Sequence, residues 1–247
     1  MTAERGIATV SFTRPEKSNA YDRAMLRTLA DGLARAAEDP SIRMVVLRGE
    51  GRHFSTGAEL GPDDGDEHGP TIPEVCWQLD TMSKPTLALV QGACLGGAFA
   101  LIACCDLAIA ERGAFFALPE VRLGFAPGPL IPFILNAIGY RHARRLIVSG
   151  ERFDAEEALR IGLVHVLAES GKGEEALSVA SFEILQAAPT AASEAKALTR
   201  RLAREPITTA LLDELQIAFR SAAGSAEAEE GRNAFYERRP ARWATSE

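Results

Sequence analysis

"KPTLALVQGACLGGAFALIACCDLAIA" (residues 84–110) places an adjacent glycine pair between two apolar runs. Its first part, "TLALVQG" (86–92), is a short unbroken hydrophobic run of the kind that forms a strand buried on both faces. The stretch 93–106, with no polar side chain until Asp106, follows as a helix, and "DLAIA" (106–110) as another short strand. Strand, helix and strand in succession predict a parallel α/β core. Two adjacent glycines beside a helix start let something approach the backbone closely.

The same alternation extends in both directions. Toward the N-terminus, "MVVLRG" (44–49) is a second buried strand and "IATVSF" (7–12) an alternating one. Between them Asp22 heads a helix with Met25, Leu29, Leu33 and Ala36 on one face, and "DPSI" ends it. Residues 50–73 are polar and glycine-rich. The acidic cluster in "GPDDGDEHGP" (61–70) reads as a solvated surface, since its spacing matches no metal-ligand set. Toward the C-terminus, 114–118 predicts a short strand and 163–167 another. Helices are predicted at 130–138, 140–149, 155–162, 173–188, 191–204, 207–222 and 226–237. The all-helical tail reads as an appendage that packs on a neighbour.

The bulk composition narrows the function classes. At 247 residues the chain can bury a large core without a disulfide or metal staple. The four cysteines (Cys76, Cys94, Cys104, Cys105) show no CxxC pairing and read as buried free thiols of a reducing compartment. No signal-like or membrane-length apolar run is present, so the expected location is cytoplasmic. A net charge of -7 argues against nucleic-acid binding, which needs excess Lys and Arg. Neither G-x-x-x-x-G-K-[ST], nor G-x-G-x-x-G between strand and helix, nor G-x-S-x-G occurs, and Ser55 in "HFSTG" lacks the glycine of a nucleophile elbow. The histidines (His53, His68, His142, His165) are scattered and form no H-E-x-x-H, so no metal site is expected.

Two glycine-containing turns remain. "GRHFSTGAEL" (51–60) follows one buried strand and "QGACLGGAFA" (91–100) follows another, and ligands favour that end of an α/β sheet. Backbone N–H groups from both turns could converge on one oxygen. "FALPEVRLGFAPG" (116–128) puts Glu120 at the end of a third strand, where an apolar pocket would raise its pKa and suit it to proton transfer. Spacing alone leaves a second reading open: Gly96 and Gly97 serve only close helix–strand packing, and Glu120 is a surface carboxylate.

Taken together, "RPEKSNAYD", "FSTGAEL", residues 84–110, "PEVRLG", "AEEALRIGLVHVL" and "FYERRPARW" resemble the enoyl-CoA hydratase/isomerase family, the crotonase superfamily, over nearly the whole chain and in the family's order. The resemblance implies an α/β spiral core of repeated β-β-α units at 1–189. It implies a helical oligomerisation region at 190–247, giving trimers or hexamers that are dimers of trimers. It implies an acyl-CoA substrate with coenzyme A as part of the thioester, and no tightly bound cofactor. It makes the backbone N–H groups of Ala58 and Gly97 the two donors of an oxyanion hole, with the dipole of the following helix aiding Gly97. Lys17, Ser18, Thr56, Glu59, Leu60 and Gly128 become substrate- and CoA-binding positions. Arg238 and Arg239 become candidates to reach a neighbour's CoA phosphates. Of the family's two catalytic glutamates, the second is Glu120, while the first falls on Ala100.

That departure bears on the reaction. The segment "GFAPGPLIPFILNAIG" (124–139) resembles hydratase-like members, including branched-chain and terpenoid glutaconyl-CoA hydratases, that lack the first glutamate. A single glutamate is equally the pattern of Δ3,Δ2-enoyl-CoA isomerases. The expectation is therefore a single-glutamate hydratase, with isomerase as the alternative and a non-catalytic CoA-binding protein as a third. Asp63, Asp64 and Glu67 are candidates to replace the missing acid.

Overall fold

The apolar runs become neighbouring strands because each is buried on both faces and must be covered by helices. The structure, a computed structural model, describes residues 1–61, 69–203 and 205–244. In chain order its strands are β1 (Thr2–Glu4), β2 (Ile7–Phe12), β3 (Met44–Gly49), β4 (Thr86–Val90), β5 (Ala93–Leu95), β6 (Leu107–Glu111), β7 (Phe115–Ala117), β8 (Phe153–Asp154) and β9 (Val166–Ala168). The α-helices are α1 (Arg23–Glu38), α2 (Ile72–Thr81), α3 (Gly97–Ala103), α4 (Ile131–Ser149), α5 (Ala155–Arg160), α6 (Gly173–Gln186), α7 (Pro189–Leu202), α8 (Thr209–Ala223) and α9 (Ala226–Glu237). Six strands form one sheet in the order β1-β2-β3-β4-β6-β9, and β5-β7-β8 form a smaller one. From β2 to β9 the large sheet is parallel, with β1 added antiparallel at its edge.

Local chemistry accounts for the helix ends. The Asp22 carboxylate accepts from Met25 N–H at 2.8 Å, so α1 starts where the sequence places it. Met25, Leu29, Leu33 and Ala36 are buried along its inner face. Within α4, Gly139 adopts φ 72°, ψ 165°, which breaks the helix between the two segments predicted at 130–138 and 140–149.

Three features differ from the sequence reading. Residues 93–95 are strand β5, and the helix begins only at Gly97. The chain cannot continue as a helix through Gly96, which sits at φ 58°, ψ -130°. Cys94 instead pairs with Phe116 of β7 on one side and with Ser55 on the other. Helix α2, inside and just past the stretch expected to be polar loop, starts at a Thr71–Glu74 box. There the Glu74 carboxylate accepts from the Thr71 N–H at 2.6 Å and its hydroxyl at 2.8 Å. The short strands β1 and β8 were not anticipated.

The chain divides into two compact units, Met1–Met82 with Thr86–Ser178, and Ser83–Pro85 with Val179–Glu247. The first contains both sheets and one apolar core. In it Phe12 meets Phe54 edge-on at 5.4 Å, and Phe116 stacks on Phe153 at 5.5 Å. All four cysteines are free and buried.

Candidate active site

The site is assembled where the turn after β3 passes the turn after β5. Residues 54–59 lie between two partners, bridged at Ser55 and Ala58 and turned at Gly57 by φ 94°. On one side Ser55 N–H donates to Ala93 O at 3.0 Å and Leu95 N–H donates to Ser55 O at 3.0 Å. On the other, Tyr21 N–H donates to Gly57 O and Glu59 N–H to Tyr21 O, both at 2.9 Å. These two bonds flank Ala58. In a parallel bridge the flanked residue's own N–H is not used, so the Ala58 N–H points away from Tyr21's backbone. Gly97 is the first residue of α3, and its N–H has no acceptor within the helix.

Both residues line one cavity of about 330 Å³ together with Glu120. Its walls are otherwise mainly apolar, from Ile72, Leu123, Phe125, Pro127, Pro129 and Leu130. Glu120 lies in a short 3-10 turn after β7, started by Pro119, and is only 9% exposed. Its Oε2 is buried with no hydrogen-bond partner among the described residues. Burial raises its carboxyl above the ordinary value, against a smaller lowering by a hydrogen bond from its own backbone N–H. Glu120 is therefore a buried carboxylate, and the surface reading falls.

Each glycine of the pair has its own constraint. Gly96 turns the chain at positive φ, and a Cβ there would lie 2.9 Å from Glu120 Oε1. At Gly97 a Cβ would overlap the Tyr21 hydroxyl oxygen and stand 2.8 Å from Ile72 Cγ1. Close packing and cavity formation are thus the same requirement. Ala100, one turn into α3, is fully buried and brings no polar side-chain atom.

Of the other predicted positions, Lys17, Glu59 and Leu60 line a neighbouring cleft of about 710 Å³ together with Arg14, Arg23 and Ala58, Thr56 lines the first cavity, and Ser18 and Gly128 line neither. Lys17 Nζ donates to Glu59 Oε1 at 2.5 Å and Arg14 Nη2 to Glu59 Oε2 at 2.8 Å, which holds the Glu59 carboxyl below its usual range. Ser18 O accepts from Thr56 N–H at 3.1 Å and from its hydroxyl at 3.3 Å. Leu60 is 74% exposed. Gly128 sits in the turn between the two wall prolines Pro127 and Pro129. Arg239, in the other unit, is held by Glu230 and Glu237. Asp63, Asp64 and Glu67 lie outside the described residues.

Ser55, His53 and His165 are engaged within the fold. The Ser55 hydroxyl is fully buried and donates to Asn19 O at 2.7 Å. His53 Nδ1 and His165 Nδ1 accept from the Ala93 and Ala108 N–H groups, each at 3.0 Å. No group of three or more His, Cys, Asp or Glu among the described residues could hold a metal. No described helix is long and apolar enough to cross a membrane. Sequence reading missed Tyr21, Ile72 and Arg14. The first sits in a turn, directly before the Asp22 cap, where periodicity gives no sign of which way a side chain faces.

Backbone N–H groups and a buried carboxylate on the wall of one apolar cavity can hold a carbonyl oxygen while a proton moves beside it. The chain belongs to the enoyl-CoA hydratase/isomerase family, whose profile matches residues 2–246. It is 30% identical to the 2,3-dehydroadipyl-CoA hydratase of Escherichia coli, over 97% of this chain and 95% of that one. An enoyl-CoA hydratase/isomerase structure from Marinobacter aquaeolei superposes with a TM-score of 0.91 at 33% identity, covering 99% of this chain and 98% of the other. AtuE of Pseudomonas aeruginosa gives 0.91 at 34% identity, with the same two coverages. The crotonase-type fold expected from the resemblance is the fold of this chain.

Proposed function

We propose that the protein is a single-glutamate enoyl-CoA hydratase, with Glu120 as its proton carrier. The observation that carries this reading is the buried, unpartnered Glu120 carboxyl in the same cavity as Ala58 and Gly97. The thioester oxygen lies between the Ala58 and Gly97 N–H groups, which stabilise the enolate as it forms. One such donor is worth roughly 3 kcal/mol in the transition state. The acyl chain enters the apolar cavity, and coenzyme A lies along the cleft past Thr56, Glu59 and Leu60, its phosphates near Arg14, Lys17 and Arg23. Lys17 and Ser18 supply contacts from the turn after β2, and Gly128 shapes the far wall. The substrate itself brings the coenzyme A, and no tightly bound cofactor is required.

The chemistry balances with one carboxylate. Glu120 takes a proton from water as the water oxygen bonds to C3. The C2=C3 electron pair moves into the thioester enolate. The proton then passes from Glu120 to C2. Relatives such as the Escherichia coli 2,3-dehydroadipyl-CoA hydratase favour this direction. One observation favours isomerisation instead: Glu120 is the one carboxylate among the described residues lining the cavity, and moving a double bond needs no more.

A panel of 2-enoyl-, 3-enoyl- and glutaconyl-CoA esters in deuterated water separates the two. Hydration adds water at C3 and one solvent deuterium at C2. A panel in which products gain solvent deuterium and never water assigns the isomerase instead.

A further inference from the structure

We infer that the Tyr21 hydroxyl is the second group that holds the attacking water, so that hydration here runs on a carboxylate and a phenol. This rests on the hydratase reading. It starts from the polar side chains that reach the cavity. Among the described lining residues these are Tyr21, Thr56 and Glu120. The Thr56 hydroxyl is committed to Ser18 O. The Tyr21 hydroxyl makes no hydrogen bond among the described residues, although the residue is only 5% exposed. The ring is buried while the hydroxyl opens onto the cavity, so a water or substrate oxygen there can meet a phenol that no described protein group engages.

Its position is specific. The oxygen stands where a side chain at Gly97 would begin, beside one proposed thioester donor. Residue 100 is one turn further along α3 and shares that face of the helix. Helical side chains lean toward the N-terminus, so a long side chain at 100 would reach the space that the Tyr21 hydroxyl fills. Ala100 leaves it to the phenol. Burial, with Cys76, Glu120 and Cys94 nearby, keeps this phenol from ionising, so it stays a neutral group able to donate and accept. Its oxygen accepts a hydrogen bond from the O–H that the water retains, which turns a water lone pair toward C3. The other water proton goes to Glu120 and then to C2, and Tyr21 keeps its own throughout.

Double-bond migration uses no water, so the two reactions should respond differently to Tyr21→Phe. The substitution keeps the ring and removes one oxygen that has no structural partner. In the full-length protein it should leave the thermal midpoint unchanged and lower kcat for 2-enoyl-CoA hydration about tenfold or more, the loss of one hydrogen bond. KM, and solvent-deuterium exchange during 3-enoyl-CoA migration, should stay within about twofold. Unchanged hydration, or an equal fall in both reactions, would overturn the role of Tyr21 alone. A parent protein that hydrates no 2-enoyl-CoA would overturn this inference and the hydratase reading together.

Discussion

Glu120 shows how one burial produces two measurable effects. Desolvation raises its folded-state carboxyl above the ordinary carboxylate value. Between the unfolded and folded values the native state holds more protons, so stability falls as pH rises through that interval and levels off above it. Glu120→Gln removes this dependence. It should therefore match the parent in acid, equal or exceed it in chemical-denaturation stability at neutral pH, and lose about 10²- to 10⁴-fold in turnover. Retained turnover on every substrate the parent accepts would remove Glu120 from the mechanism. The carboxylate was legible because a proline at the end of a strand marks where the chain leaves the sheet. The two glycines were legible for the same local reason. Tyr21 was not, because what aims its ring is the pairing of its backbone with Gly57 and Glu59, some 37 residues away along the chain. Spacing near residue 21 holds no trace of that.

Elements were legible where one period or one special residue ruled them, and obscure where partners did. The break inside α4 could be read from Gly139, and it gives a clean test. At φ 72°, ψ 165° only glycine is comfortable, yet a Cβ there meets nothing within 4 Å. Gly139→Ala should then cost about 1–3 kcal/mol from backbone conformation alone. Gly128→Ala, also in open space but without the positive φ, should cost far less. Urea midpoints with unchanged m-values would show the contrast, and equal midpoints would refute it. Strand β5 was hidden because three apolar residues before a glycine pair look like the start of the helix that follows. Pairing with Ser55 and β7 decides otherwise. Helix α2 did leave a signal, the Thr71-x-x-Glu74 box, but its polar setting outweighed it. That helix matters to the site, since its first residue, Ile72, forms cavity wall.

At the scale of the whole molecule, the C-terminal unit exposes large apolar side chains along its helices. Neither α7 nor α8 has a buried residue, although α8 presents Leu212, Ile217 and Phe219. Ile217 and Phe219 are 69% and 68% exposed, and Phe235 and Tyr236 of α9 are more exposed still. Helix propensity alone rarely stabilises 15 residues in water, and exposed apolar side chains in such number mark an interaction surface. We propose that this face mediates self-assembly, into the trimers or hexamers of two trimers that the family resemblance implies. Sedimentation equilibrium should find three or six chain masses at micromolar concentration. The double variant Ile217→Glu, Phe219→Glu should shift the population toward the mass of one chain, because a charge buried in an apolar interface must be desolvated without a partner. The parent's thermal midpoint should also rise with concentration, since association stabilises only the folded chain, while the variant's should not. A parent protein that sediments as one chain across this range would sink the proposal, and the exposed face of α8 would then belong to a different partner.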